Sequence, residues 1–357
     1  MQGILIATAL AMAFSLLATP WVMGVFRARG VGQLIREDGP AAHFEKHGTP
    51  TMGGLILLAA ATIGYFGAQV RFVGAFGFSR PGREALMTLG VGWGLGLLGA
   101  LDDLRKIRQR RSLGLSKKAK FAGQALVGFG LAFAAVEWAS VRPEISWAGS
   151  GAPLLPALHP IVFAVWVVIV IAGTSNAVNL TDGLDGLAAG ASAMAFFVFM
   201  IIGFWQFRHQ DFYADLGNPS AALEVSIVAA AMLGACIGFL WWNAAPAKIF
   251  LGDTGSLALG GVLAALGLFT STQLLLLVIG GLFVVETLSV IIQVVAYKVF
   301  GGRRVFAMAP LHHHFELRGW PEINVIIRFW LIAALLAGLG LALFYSYFLQ
   351  NSGGVVL

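Results

Sequence analysis

The segment LAAGASAMAFFVFMIIGFW, residues 187–205, contains no charged side chain, and its reading decides the fold. A helix rises about 1.5 Å per residue, so this segment nearly matches a hydrocarbon core about 30 Å thick. A helix that is apolar all round sits in a large core or in lipid. Nine further apolar runs choose between these: 3–26, 53–70, 85–101, 121–139, 160–178, 223–242, 256–271, 273–298 and 325–348. Those at 85–101 and 256–271 are short and glycine-rich, and that at 273–298 is long enough to tilt or break. The boundary between the runs at 256–271 and 273–298 rests on the polar Ser271-Thr272-Gln273.

Composition agrees. Hydrophobic residues make up 58% of the 357 and charged residues 11%, with mean hydropathy +0.83. A soluble domain is about 25% charged. The chain therefore excludes a soluble globular protein. It is too apolar for disorder, and its runs are too long for a spanning β-barrel. The expectation is an all-α polytopic membrane protein with about ten spans, forming one integral-membrane catalytic domain over residues 1–357.

Cys236 is the one cysteine, so no intrachain disulfide and no cysteine metal site is expected. Met1 to Gly3 carries no lysine or arginine, unlike a secretory leader. The net charge of +6 reads as membrane topology, not as nucleic-acid binding. With the N-terminus outside, 18 of the 23 lysines and arginines fall on the inner side and 5 on the outer. Both termini are then expected to face outward. No sustained inverted repeat of the transporter kind is legible.

The inner segments 27–52, 102–120, 179–186, 243–255 and 299–324 also hold most of the acidic residues. Asp102 and Asp103 end the third apolar run, which predicts a helix C-terminus there, the wrong end for carboxylates. Such a pair is either a wet helix end or a site for a divalent cation or a proton. Arg105, Lys106, Arg108, Arg110 and Arg111 are close enough to neutralise it or to hold lipid headgroups.

Asn179 to Gly186 contains two Asp-Gly pairs, with Thr181 or Asp182 predicted as a helix N-cap and Asp182 and Asp185 on one face of a turn. Helix N-termini and glycines suit phosphate. Asn243 to Ser256 combines Lys248, Phe250, Gly252, Asp253, Thr254 and Ser256. Asp253 is a cap or a metal–phosphate ligand, and Phe250 a nucleobase platform or an interfacial ring. The triplet His312-His313-His314 suits phosphate or proton transfer better than zinc, because consecutive residues rarely converge on one ion. Glu286 lies mid-span with Gln293 at i+7, which reads as a functional carboxylate or as a helix–helix hydrogen bond. Carboxylates, bases, helix starts and a ring on one side suit a cytoplasmic-face enzyme acting on a diphosphate and a lipid.

The segments Lys46-His47-Gly48-Thr49-Pro50-Thr51-Met52-Gly53-Gly54, Asp102-Asp103, Asn179 to Gly186, Gly252 to Ser256 and Pro310 to Glu316 occur in this order. Through them the chain closely resembles the phospho-N-acetylmuramoyl-pentapeptide transferases, a branch of the polyprenyl-phosphate sugar-1-phosphate transferases. The similarity covers nearly the whole chain. It implies UDP-N-acetylmuramoyl-pentapeptide and undecaprenyl phosphate as substrates, Mg²⁺ as cofactor, ten spans and a site on the inner face of the bacterial cytoplasmic membrane. It implies no nucleic-acid partner and leaves a homodimer open. Carried over, the uridine pocket is Lys46, Gly183, Leu184, Asp185, Asn243 and Phe250. Further contacts are Thr51, Lys106, Asn179, Asp182, Ser256, Gln293, His312 and His313. Asp253 is the magnesium ligand, Asp102 the candidate base with Asp103 beside it, and His312 a catalytic candidate. The competing readings are a sister enzyme using UDP-N-acetylglucosamine and, more distantly, an ion-coupled transporter.

Overall fold

In the computed structural model, residues 1–32, 48–71, 77–109, 113–149, 154–155, 158–214 and 219–352 are described. Each apolar run becomes helical, one of them as two helices. In chain order these are α1 (Gln2–Ala28), α2 (Gly54–Ala68), α3 (Arg83–Gln109), α4 (Lys117–Glu137), α5 (Pro160–Thr181), α6 (Leu187–Arg208), α7 (Pro219–Asn243) and α8 (Gly252–Phe269). They are followed by α9 (Leu276–Ile279), α10 (Gly281–Val299), α11 (Leu311–Leu317) and α12 (Glu322–Asn351). Among the described residues, nine helices are long and apolar enough to cross a membrane, and α2 is a shorter apolar helix. This is a multi-pass, all-helical membrane protein. Its only described strands are two-residue stubs, β1 (Val70–Arg71) and β2 (Gly77–Phe78), paired antiparallel between α2 and α3.

Three expectations need correction. The third run is not short: α3 continues through Asp102 and Asp103 to Gln109, so the pair lies inside a helix and not at its end. Leu104 to Gln109 supplies good helix formers, so the helix persists where the lipid-like run stops. The predicted N-cap in the Asn179–Gly186 segment is instead the end of α5. Thr181 is the last residue of α5, Asp182 its C-cap, and Gly186 the N-cap of α6 at φ +76°. Asp182 and Asp185 therefore sit on a non-helical turn. Glycine alone enters that left-handed region freely, and this fixes the break at Gly186. Finally, Asp253 lies within the first turn of α8, behind an N-cap at Leu251.

The run at 273–298 breaks at Gly280 into α9 and α10. Before it, α8 stops at Phe269, and Ser271 takes φ +50°.

At the centre stands α8. Every residue from Thr254 to Leu268 is buried, with α3 and α5 packed closely on it and α2 across its start. Small residues permit this approach. A Cβ on Gly99 would land on the Asp253 carbonyl, and one on Gly54 would land on the backbone of Gly255. In a second layer α1 and α7 pack on α2 and on each other, α6 packs on α7, and α12 closes against α6.

Candidate active site

The site forms where α3, α4, α5 and α8 meet. Asp102, Asp103 and Asp253 offer carboxylate oxygens that all lie within 4.8 Å of one another. Two ammonium groups offset this charge. Lys106 Nζ stands 2.6 Å from Asp102 Oδ2, 3.1 Å from Asp253 Oδ2 and 3.8 Å from Asp103 Oδ1. Lys120 Nζ, from the first turn of α4, donates to Asp253 Oδ2 at 2.6 Å. The i, i+3 and i+4 spacing on α3 brings Lys106 to the pair. Lys120 was missed by sequence reasoning. Its one signal was a lysine immediately before the start of an apolar run.

Asp103 is committed. It accepts the backbone N–H groups of Asp253 at 3.2 Å and Thr254 at 3.0 Å, and the Thr254 hydroxyl at 2.7 Å. It therefore caps α8 from another helix, which is where a carboxylate belongs on the helix dipole. Asp102 accepts the Leu115 N–H at 2.7 Å, and a Cβ on Gly114 would overlap its carboxylate. Asn179 Nδ2 donates to Asp253 Oδ1 at 2.9 Å and to Ser256 Oγ at 2.8 Å, and Ser256 in turn donates to the Gly252 carbonyl at 3.0 Å.

Asp182 faces the same cluster. Burial first, and then the carboxylates of Asp253, Asp103 and Asp185, hold its carboxyl well above the usual carboxylate range. Asp185 works elsewhere: its Oδ2 accepts the Ala247 N–H at 2.9 Å and its own N–H reaches Glu322 at 3.2 Å. It thus ties the turn to the loop that carries Phe250. Asn243 closes the same loop by donating to the Ile249 carbonyl at 2.9 Å. Phe250 is half-buried, with its N–H on the Pro50 carbonyl and its carbonyl accepting from Gly53. Thr51 is buried beside Gly252, and the side chain of Leu184 is in the core.

Other expected residues lie apart from the carboxylates. The Gln293 amide holds the loop after α10: its oxygen accepts from the N–H groups of Val305 and Phe306, each at 3.0 Å, and its nitrogen donates to the Phe306 carbonyl at 3.1 Å. The histidines of the triplet take different partners. His312 is buried against Gly183, His313 pairs with Glu316 at 2.6 Å, and His314 accepts from the Ala307 N–H at 3.0 Å. Lys46 lies outside the described residues.

The donor set suits a hard divalent cation, which takes carboxylate oxygens together with ligand phosphates. Lys106 and Lys120, pointing into the same space, suit those phosphates. The arrangement can bind a diphosphate and neutralise charge on it.

The family model for glycosyl transferase family 4 matches residues 85–271, which include Asp102, Asp103, Asn179 and Asp253. The first signature of phospho-N-acetylmuramoyl-pentapeptide-transferase matches residues 46–58. Relatives of that name align end to end. One from Frankia casuarinae is 52% identical and covers 99% of this chain and 100% of its own. One from Mycolicibacterium gilvum is 48% identical with the same coverage. One from Cutibacterium acnes is 46% identical over 97% of this chain and 98% of its own. With this identity over the full length, and with the signature segment and the carboxylate trio in place, the chain belongs to the phospho-N-acetylmuramoyl-pentapeptide transferases.

Proposed function

We propose that the protein transfers phospho-N-acetylmuramoyl-pentapeptide from its UDP carrier to undecaprenyl phosphate, releasing UMP, at the cytoplasmic face of the bacterial inner membrane. The observation that carries this reading is the convergence of Asp102, Asp103 and Asp253 with Lys106 and Lys120 where the last turns of α3 meet the first turns of α4 and α8, at the edge of the apolar runs. Lipid and nucleotide phosphates can meet only at such a boundary.

In the reaction, an oxygen of the lipid phosphate attacks the sugar-bearing phosphorus, and the bond to the uridylyl phosphate breaks. One phosphoanhydride replaces another, so catalysis is alignment of two anions and charge neutralisation. Lys106 and Lys120 are placed to hold the phosphates. Asp253, with Asp102 beside it, would hold Mg²⁺, which supplies charge neutralisation at the diphosphate. Asp103 positions Asp253 by capping α8. Phe250 and the Asp182–Asp185 turn serve the uridine end, and the loop from Arg303 to Glu322 contributes to the choice of sugar-peptide.

A lipid phosphate is already largely ionised at neutral pH, with a second pKa of about 6. Direct attack therefore needs no enzyme nucleophile. The three hydrogen bonds that Asp103 already accepts support the same view. Purified enzyme stripped of lipid phosphate should release no UMP, and a stoichiometric burst with label on Asp102 or Asp103 would establish a covalent route. With lipid phosphate and Mg²⁺, UMP release from the muramoyl-pentapeptide donor should exceed that from UDP-N-acetylglucosamine by at least about 100-fold in kcat/KM. The reverse preference would move the chain to the sister reaction.

A further inference from the structure

We propose that Glu286 is a positioning residue for the transfer, acting through His312 on the Asp182–Asp185 turn; the proposal rests on the reaction assigned above. Along α10 the side chains of Leu288, Ile291, Ile292 and Val295 are exposed and apolar, as lipid requires. Glu286 on the same helix is fully buried. Burying a carboxylate costs several kcal/mol unless other groups meet it.

Its partners come from α11. Glu286 Oε2 accepts the Leu311 N–H at 2.7 Å. This helix has no side-chain cap of its own, because its N-cap is Pro310. Glu286 Oε1 faces His312 Nδ1 at 3.2 Å, and both side chains are 0% exposed. The two atoms are not hydrogen-bonded to each other. Glu286 Oε1, His312 Nδ1 and His312 Nε2 are therefore three buried polar atoms with no hydrogen-bond partner among the described residues. Buried polar groups are normally paired, and a run of three exceptions calls for a role.

The chemistry of the pair fixes its polarity. A carboxylate only accepts, so the ring proton belongs on Nδ1 and the lone pair of Nε2 points away from Glu286. That nitrogen lies against Gly183, where any side chain would overlap it. The ring therefore seats on the turn at its one residue without a side chain. From that turn, Asp182 faces the carboxylate cluster and Asp185 holds the Ala247 N–H of the Phe250 loop. One carboxylate on a lipid-facing helix thus sets the height of both.

A glutamine at 286 can still accept the Leu311 N–H, but it removes the negative charge that faces His312 Nδ1. The experiment uses purified full-length enzyme with wild-type, Glu286→Gln, His312→Ala and double-variant chains. It measures kcat and KM for the nucleotide donor, and Tm with and without Mg²⁺. Glu286→Gln should keep the wild-type Tm and KM and lower kcat on the order of 10- to 100-fold, as a displaced reacting group does. In the His312→Ala background it should add no further loss. Wild-type kcat in Glu286→Gln, or additive losses in the double variant, would overturn the proposal. A wild-type enzyme silent toward the muramoyl-pentapeptide donor would count against the reaction alone. Coupling is then read from Tm with the added Glu286→Ala chain, where changes that add across Glu286→Ala and His312→Ala would overturn the link.

Discussion

Asp182 carries the sharpest electrostatic consequence of the site. Its carboxyl is held above the ordinary range by burial and then by three neighbouring carboxylates. A raised acid keeps its proton longer in the folded chain than in the unfolded one. Folding is therefore penalised as pH rises through the ordinary carboxylate value toward the folded one, and fully penalised above that. Asp182→Asn should raise Tm in EDTA at pH 7, with the gain vanishing near pH 3. Mg²⁺ should stabilise the wild type more than the variant. A variant that melts lower than wild type in EDTA at pH 7 would contradict this electrostatic account. At this scale the sequence was half legible. Asp102, Asp103, Asp182 and Asp253 stood out because charge is rare here, and Asn179 because it opens the segment with the two Asp-Gly pairs. The role of Asp103 as a cap for α8 was hidden, because that bond spans about 150 positions of sequence. Lys120 was hidden for the same reason: nothing local distinguishes it from Lys117 and Lys118.

Among the helices, α8 is the one that the others must approach. Gly99 on α3 lies where its Cβ would strike the Asp253 carbonyl, whereas Gly90 on the same helix has nothing within 4 Å. Gly99→Ala should therefore lower both Tm and turnover by pushing α3 from α8 at the carboxylates. Gly90→Ala should be neutral or slightly stabilising, because alanine is the better helix former by about 1 kcal/mol. Equal effects of the two, by melting and UMP release, would remove the packing argument. Helix existence was legible at this scale because lipid leaves an unbroken apolar run. Helix ends were not. The extension of α3 to Gln109 runs through residues too polar for the lipid-like pattern to include, and the break at Gly280 falls inside an unbroken apolar run. The α11 helix is a seven-residue segment whose amide is satisfied from α10, so no pattern within it announced it.

For the whole molecule, the 18-to-5 division of lysine and arginine predicts a topology with both termini outside. Leu113→Cys and Trp138→Cys, at exposed positions flanking α4, test it. The native thiol, Cys236, is fully buried and can be replaced by serine for a clean background. In intact cells an impermeant thiol reagent should label position 138 and spare 113. The opposite pattern would invert the protein and place the carboxylates on the side without nucleotide.

The complete burial of α8 from Thr254 to Leu268 also has a bearing on biosynthesis. The chain emerges N-terminus first, so α2, α3, α4 and α5 are already threaded when α8 leaves the ribosome. Its mean hydropathy of 1.4 in the most apolar window is well below the 2.2 of α6, so lipid alone holds it less firmly. It enters as a late wedge into a slot its predecessors have formed. Until it arrives, Asp103 lacks the N–H groups it caps, and Lys106 and Lys120 lack Asp253. On the reaction proposed above, catalytic competence therefore waits for α8: a nascent chain halted before Gly252 lacks Asp253 and the carboxylate cluster it completes.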